Sequence, residues 1–412
     1  MLDILMFLDP VKTSPWFALS IISICLIGAM STWFSGTVIL PELTLRSGLG
    51  ESEKVWLTNA VQLGFVIGAI VVAFFNLSDS MPLVLLIAFS CTLAAIANLL
   101  LIWMDTPLSI IIVRLLTGVA LSGVYPPVVK LIATWFQKSR GIAMGVIIGA
   151  LTLGSAAPHL FRAMTLDTDW LIVIWVSSLM TFLAGMIVVF FVSEGPVYFA
   201  RTRFKPSQII QVLNNKPLAL VNIGYVGHMW ELYAMWAWIL TFAHFSLNDF
   251  DWIPFGAPEY FSFFIVSIGA IGCVIAGYLS DIYGRCYITA VLMLVSGSCA
   301  FSIGFLVNTS PFLFGLIALL WGLTIIADSG QFSAAVTELS PPNLVGTALT
   351  VQMAIGFGVT MITIWLVPVF AQLFGSFQWM FLLLAPGPFI GAIAMLVLRR
   401  HPHSEKLALG KR

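Results

Sequence analysis

Charge is what this sequence has least of. Asp, Glu, Lys and Arg make up only 9% of its 412 residues, while 60% are hydrophobic. A water-soluble protein of this length needs a charged exterior, so a soluble globular fold is excluded and the chain belongs in a bilayer. Lys and Arg number 18, as do Asp and Glu, so no basic surplus exists to attract nucleic acid. Cysteine is sparse too. Cys25, Cys91, Cys273, Cys286 and Cys299 fall in or beside apolar runs and form no Cys-x-x-Cys pair. They read as packing residues, with no disulfide framework or metal site. Metal-ligand clusters, phosphate loops and nucleophile–base sets are also missing, which argues against an enzyme and leaves no cofactor to place. The opening MLDILMFLDPVK carries Asp3 and Asp9 where a signal peptide needs a basic start. The first apolar run is expected to do the targeting.

What the chain has in quantity is long apolar runs. Spanning the hydrocarbon takes about 20 such residues. Twelve runs qualify, near 15–40, 54–75, 82–104, 107–133, 140–162, 169–192, 217–245, 259–280, 286–307, 311–336, 344–370 and 376–398. The longest connection, 193–216, carries Glu194, Arg201, Arg203, Lys205 and Lys216. It divides the chain into an N-terminal six-helix unit (1–192), this linker, a C-terminal six-helix unit (217–398) and a tail (399–412). Basic residues crowd one side: Lys12, Lys130, Lys138, Arg140, Arg285, Arg399 and Arg400 join the linker and tail there. The other side holds Arg46, Lys54 and Arg162. The positive-inside rule then puts both termini in the cytoplasm. The compact loops fit a bacterial inner membrane, and the expected unit is a monomer in lipid.

Two segments set the organisation. Gly277–Arg285, GYLSDIYGR, sits as a tight charged hinge between the eighth and ninth runs. Leu77-Ser78-Asp79 repeats its Leu279-Ser280-Asp281 at an offset of 202, and Pro15 maps onto Pro217 at the same offset. Shared offsets point to a duplicated half. The pattern Gly-x-Leu-x-Asp-x-x-Gly-Arg resembles the loop signature of the major facilitator superfamily of secondary transporters. The resemblance implies an all-α fold of twelve transmembrane helices in two pseudo-symmetric bundles. It also implies a conformational latch at Gly277, Asp281, Gly284 and Arg285. Its aspartate would face the N-terminus of the helix starting near Arg140, where the helix dipole is positive, and would hold the outward-facing state. The first copy keeps Asp79 but lacks the following Gly and the basic residues, so the two halves are expected to latch unequally. Trp135–Pro158, through the run Arg140–Gly145 and the glycines at 145, 149 and 154, resembles helix 5 of anion-type and nitrate/nitrite-porter-like members. The arginines that nitrate porters carry in helices 2 and 8 are missing, which argues against nitrate. The Gly-Pro pair of many drug antiporters is missing too, which argues mildly against drug efflux.

Three charged groups lie too deep to snorkel: Arg114, Glu231 and Asp328. Each costs about 2.5–3.5 kcal/mol at a helix centre on insertion scales, so each must face protein or a cavity. In the seventh run Tyr225, His228, Glu231, Met235 and Trp238 share one helical stripe. His228 and Glu231, three residues apart, could share a proton, or could form a structural hydrogen bond between helices. In the tenth run Trp321, Thr324, Asp328 and Gln331 form a second stripe. Asp328-Ser329-Gly330 could equally be a local break with its carboxylate on freed backbone groups. Arg114-Leu-Leu-Thr-Gly118 resembles the superfamily's helix-4 pattern Arg-x-x-x-Gly, whose arginine is associated with coupling or substrate. A guanidinium also suits a substrate carboxylate. The plain alternative is an arginine held by backbone carbonyls, locking its helix against the first run. Tyr125 lies on about the same face as Arg114 and would line the cavity. Asn59, Gln62, Gln352, Ser23, Ser31 and Ser35 are weaker candidates.

The expectation is a secondary transporter working by alternating access. Its polar core would be Arg114, His228, Glu231, Asp328 and Gln331, with Tyr125, Tyr225 and Trp238 around it. The cargo would be a small, polar, anionic organic solute, and the coupling ion a proton. The alternatives are efflux of a drug or metabolite held by the aromatics of the seventh run, and a non-transporting receptor on the same fold.

Overall fold

The computed structural model describes residues 14–136, 140–165, 169–196, 208–247, 256–307, 309–341 and 344–412. All regular structure among them is helical. Among the described residues ten helices are long and apolar enough to cross a membrane: Glu51–Phe74, Leu83–Trp103, Pro107–Trp135, Gly141–Met164, Leu171–Phe191, Pro258–Tyr283, Arg285–Leu306, Pro311–Leu339, Val345–Leu373 and Phe377–Arg399. Pro15–Met30 is a shorter apolar helix. The 32-residue Lys216–Leu247 carries Asn222, His228 and Glu231 among its buried residues. Large apolar side chains such as Ile67, Phe89, Ile96, Leu116 and Phe190 face outward, as a surface bathed in lipid requires.

The helices used below are α1 (Pro15–Met30), α2 (Leu40–Ser47), α3 (Glu51–Phe74), α4 (Leu83–Leu100), α5 (Pro107–Leu121), α6 (Tyr125–Trp135), α7 (Arg140–Met164), α8 (Leu171–Phe191), α9 (Lys216–Leu247), α10 (Pro258–Ser267), α11 (Gly269–Tyr283), α12 (Arg285–Ser302), α13 (Pro311–Ile325), α14 (Ser329–Leu339), α15 (Val345–Leu373) and α16 (Pro386–Arg399). Their starts follow local chemistry. Ser14, Thr106 and Ser310 each cap a helix whose first residue is proline. Proline there loses no intrahelical hydrogen bond, and the capping hydroxyl satisfies a free N–H.

The first run is not one helix. It stops at Met30 and passes through turns before α2. The sequence Ser31-Thr-Trp-Phe-Ser-Gly-Thr37 supplies the reason. Ser31, Thr32 and Ser35 donate to backbone carbonyls three residues back, at 2.7, 3.0 and 3.0 Å. Such local bonds compete with the helical ladder, and apolar content alone did not reveal them.

Two spans break at the same internal place. Pro107–Trp135 divides into α5 and α6 at residues 122–124, and Pro311–Leu339 into α13 and α14 at 326–328. Every boundary of the second pair lies 204 residues after that of the first. The packing repeats with them. Gly118 sits on the Val61 backbone and Gly68 on Val119; Gly322 sits on Ile265 and Gly272 on Leu323, again 204 residues on. The loop motif and the first proline gave an offset of 202, so the register between the two copies shifts by two residues more than once along the chain.

In the first part of the chain α3 packs on α5, α4 on α8, and α1 on α7 and α8; in the second, α9 packs on α15 and α16, and α12 on α13 and α16. The two parts meet where α3 touches α15 and where α7 touches α10, α11 and α14.

At Gly118 and Gly322 the neighbour is backbone, which cannot yield to an added methyl. Gly118→Ala and Gly322→Ala are each expected to destabilise by roughly 1–3 kcal/mol, read as a lower melting temperature in detergent. Gly358→Ala, where nothing lies within 4 Å, is the control and should not lower it.

Candidate functional site

Arg114 is fully buried in α5. Its guanidinium reaches the broken segment of the first run. Nε donates to the Leu57 carbonyl (3.1 Å) and Nη1 to the Thr32 carbonyl (3.0 Å) and Ser35 Oγ (3.3 Å), while Nη2 donates to the Trp33 carbonyl. Asn98 Oδ1 accepts from Ser35 Oγ at 2.6 Å and lies 3.5 Å from Nη1. Unwinding at 31–39 strips carbonyls of their helical donors, and a planar five-donor cation is well shaped to satisfy them. A Cβ at Gly36 would meet the Arg114 side chain at 3.1 Å, so glycine makes the approach possible. Of the two readings the sequence left open, this geometry is that of a strut between α5 and the first run.

The acidic groups sit in the second part of the chain. Glu231 in α9 is buried and accepts from Trp321 Nε1 (2.6 Å) and Ser296 Oγ (2.7 Å), joining α9 to α12 and α13. Asp328, at the break before α14, is equally buried, and its Oδ1 lies 2.8 Å from His228 Nδ1. The contact is close but not well aligned: Oδ1 and the ring's Nε2 both lack a hydrogen-bond partner of good geometry. Asp328 does not cap α14. His228 therefore pairs with Asp328 across helices, whereas the sequence spacing had set it beside Glu231. Helical stripes give a shared face, but the partner on that face comes from packing.

Between these two groups lies an aromatic junction. Trp33, Phe34 and Phe65 from the first part meet Tyr233, Trp236 and Phe357 from the second. Ring centroids are 4.6 Å apart for Phe65–Phe357, 5.3 Å for Tyr233–Phe357 and 5.7 Å for Trp33–Tyr233. The rings are buried and leave a cavity of about 20 Å³, lined by Tyr125, Tyr225, Tyr233, Met229, Phe357 and Ser329 among others. Tyr125 opens α6 just after one break and Ser329 opens α14 just after the other. A larger furrow of about 310 Å³, lined by Leu294, Cys299, Ile317 and Leu320, is open and apolar and does not touch the junction.

The ends of the molecule are tied separately. The Asp281 carboxylate lies against Gly141 in the first turn of α7, close enough that a Cβ there would overlap it. Free N–H groups and the positive end of the dipole favour a carboxylate at that place. Gly277 and Gly145 let α11 and α7 approach: the nearest backbone carbonyl would be 2.8 Å from an added Cβ at each. Arg285 does not rely on Asp281, 3.6 Å away; it grips Glu338 with Nε at 2.9 Å and Nη2 at 2.7 Å, and its Nη1 donates to Gln331 at 2.8 Å. Gly284 takes φ +96°, where a side chain would be strained, and the Lys411 and Arg412 carbonyls press on it. At the opposite end Arg162 pairs with Glu42, and His244 Nε2 lies 3.2 Å from Glu259.

The sequence profile of the Major Facilitator Superfamily matches residues 21–357. The chain belongs to that superfamily. No protein of curated function matches it in sequence. Membership makes the chain a multi-pass membrane protein of a transporter family, whose members are generally not enzymes, and it gives the midline residues a transporter's setting.

Within that setting the expected site residues separate into three places. Tyr125 and Tyr225 line the cavity; His228, Glu231 and Asp328 are each next in sequence to one of its lining residues (Met229, Leu232, Ser329) without lining it. Trp238 turns away, its Nε1 donating to the Ile364 carbonyl at 3.0 Å. Gln331 joins the Arg285 network and Ser280, not the midline core. The Asp79 side chain and that of Arg140 lie outside what is described. Sequence reading missed Trp33, Phe65 and Phe357, because an aromatic in an apolar run carries no mark of its role. It also missed Glu338, although an arginine as enclosed as Arg285 calls for a carboxylate nearby.

The strut geometry of Arg114 has a direct consequence. Arg114→Lys keeps the charge but loses the fork, and is expected to lower the melting temperature of the ligand-free protein by several degrees. A residue waiting for substrate would tolerate lysine in that measurement.

Proposed function

We propose that this protein is a proton-coupled secondary transporter working by alternating access. Its two halves would be six-helix bundles, residues 1–192 and 217–398, joined by the linker 193–216, with 399–412 as a tail and twelve spans in all. The duplicated breaks in α5/α6 and α13/α14 support this, since discontinuous helices in matching positions flank the sites of such transporters. The charge pattern supports cytoplasmic termini, and composition with loop length favours a bacterial inner membrane and a monomer. The Asp281–Gly141 contact would then lie at the cytoplasmic face and hold the outward-facing form. The tight junction and the ties at both ends correspond to a closed intermediate.

One observation carries the coupling: two carboxyl groups, Glu231 and Asp328, are buried within the spans, Asp328 beside His228 and next in sequence to Ser329 of the cavity wall, and Glu231 one helical step from its Leu232. Groups so placed can be neutral in one conformation and charged in another, which is what coupling to protons needs. The anionic solute expected from the sequence required a free cation, and every nitrogen of Arg114 is engaged. The aromatic lining favours instead an amphipathic solute, in keeping with the efflux alternative. No cofactor beyond the proton is invoked.

The test is internal pH in proteoliposomes challenged with solute pools. Solute-triggered proton movement is expected in the parent protein. In Glu231→Gln and Asp328→Asn it should fall at least tenfold. Undiminished proton movement in both variants would overturn the coupling.

A further inference from the structure

We infer that the solute carried is an organic cation, an alkyl- or arylammonium, whose charged head sits among Tyr125, Tyr225 and Tyr233. The inference rests on the transport reading above and names its substrate class. Aromatic faces present negative charge to a cation, and these three rings with Phe357 form most of the polarisable wall of the cavity. Among the described residues that line the cavity there is no Lys, Arg or His. Arg114 is spent on carbonyls, and His228 is turned toward Asp328. Asp328, 2% exposed, directly precedes Ser329 of the wall, and its Oδ1 has no well-aligned hydrogen bond. A cation held at this wall would have that carboxylate one residue behind it to balance its charge. An anion would meet aromatic side chains with an acid behind them, a costly burial. A cavity of about 20 Å³ holds one water-sized group. The closed form therefore has room for a water-sized group only, and a larger ammonium head with the remainder of the solute needs the space released when Trp33 parts from Tyr233 and Phe357.

The experiment uses purified protein in detergent and a near-isosteric series: choline, 3,3-dimethylbutan-1-ol and 3,3-dimethylbutanoate, with benzyltrimethylammonium as a larger head. Tryptophan fluorescence and thermal shift report binding. The expected result is that at least one ammonium binds about tenfold or more tighter than the neutral and anionic isosteres, and that Asp328→Asn and Tyr225→Leu each weaken it by a similar factor. Tightest binding of the butanoate, equal binding of all four, or no ammonium bound at millimolar concentration would overturn it. Because no gradient is involved, binding without flux in proteoliposomes would remove the transport reading and leave the ligand class standing.

A separate observation concerns the segment Pro402–Gly410, and the geometry points to a brace on the loop Gly277–Arg285. Leu407 is fully buried, and the Ala408 N–H donates to Glu338 Oε2 at 3.0 Å, on the same carboxylate that Arg285 grips. Lys411 Nζ donates to the Asp281 carbonyl at 2.7 Å, and the Lys411 and Arg412 carbonyls cover Gly284. The segment and the two residues after it thus touch the loop at Asp281, the residue that meets α7, and at Gly284. Removing it should loosen the contact between the two parts at that end. Hydrogen exchange on the full-length protein, on Leu407→Glu and on a chain ending at Arg400 tests this. Faster exchange is expected in peptides covering 277–285 and 141–145, with peptides of α4 and α8 unchanged. Exchange unaltered at both places in both variants, or raised uniformly through the protein, would overturn it.

Discussion

A polar group inside a bilayer has no water to turn to, and most of this structure follows from how its buried polar groups find partners within the protein. Arg114 and the broken first run solve each other's problem. The run cannot leave its carbonyls bare in hydrocarbon, and the guanidinium cannot stay unpaired there. Together they fix Trp33, whose carbonyl is bound by Arg114 and whose ring meets Tyr233 and Phe357. A strut in one half thereby places an aromatic at the junction with the other.

The same constraint gives the second half a different character. Its least exposed charged groups, Glu231 and Asp328, are acids that meet neutral donors and one imidazole: Trp321 and Ser296 at Glu231, His228 at Asp328. The position that matches Arg114 at the 204-residue offset is Ala318, so the duplicated spans share their break and their glycine packing but not their charge. Equivalent backbones with unequal side chains allow one half to serve as scaffold and the other to carry titratable groups.

At the loop Gly277–Arg285 a similar division appears. Asp281 meets the helix of the opposite part, while Arg285 is held within its own part by Glu338 and Gln331. The inter-part contact is a carboxylate on a helix start with glycines around it, weaker and more easily opened than the bidentate pair behind it.

Run lengths and the loop motif were enough to read the membrane class, the boundaries of the ten long spans to within a few residues and the superfamily. These are local properties: hydrocarbon thickness sets length, and a tight loop between helices restricts its residues. The deep charges were legible for the same reason, since each is costly wherever its helix packs. Their partners were not. His228 could be placed on a face with Glu231, but only packing set Asp328 against it. Gln331 shared a stripe with Asp328 yet bonds to Arg285, because the break at 326–328 turns the helix between them. The sequence by itself determined that this chain spans a bilayer and which residues cannot face lipid. The tertiary structure alone decided which of them meet, because helix-to-helix contacts in a membrane depend on small-residue packing and on where helices unwind, and neither is written in hydrophobicity.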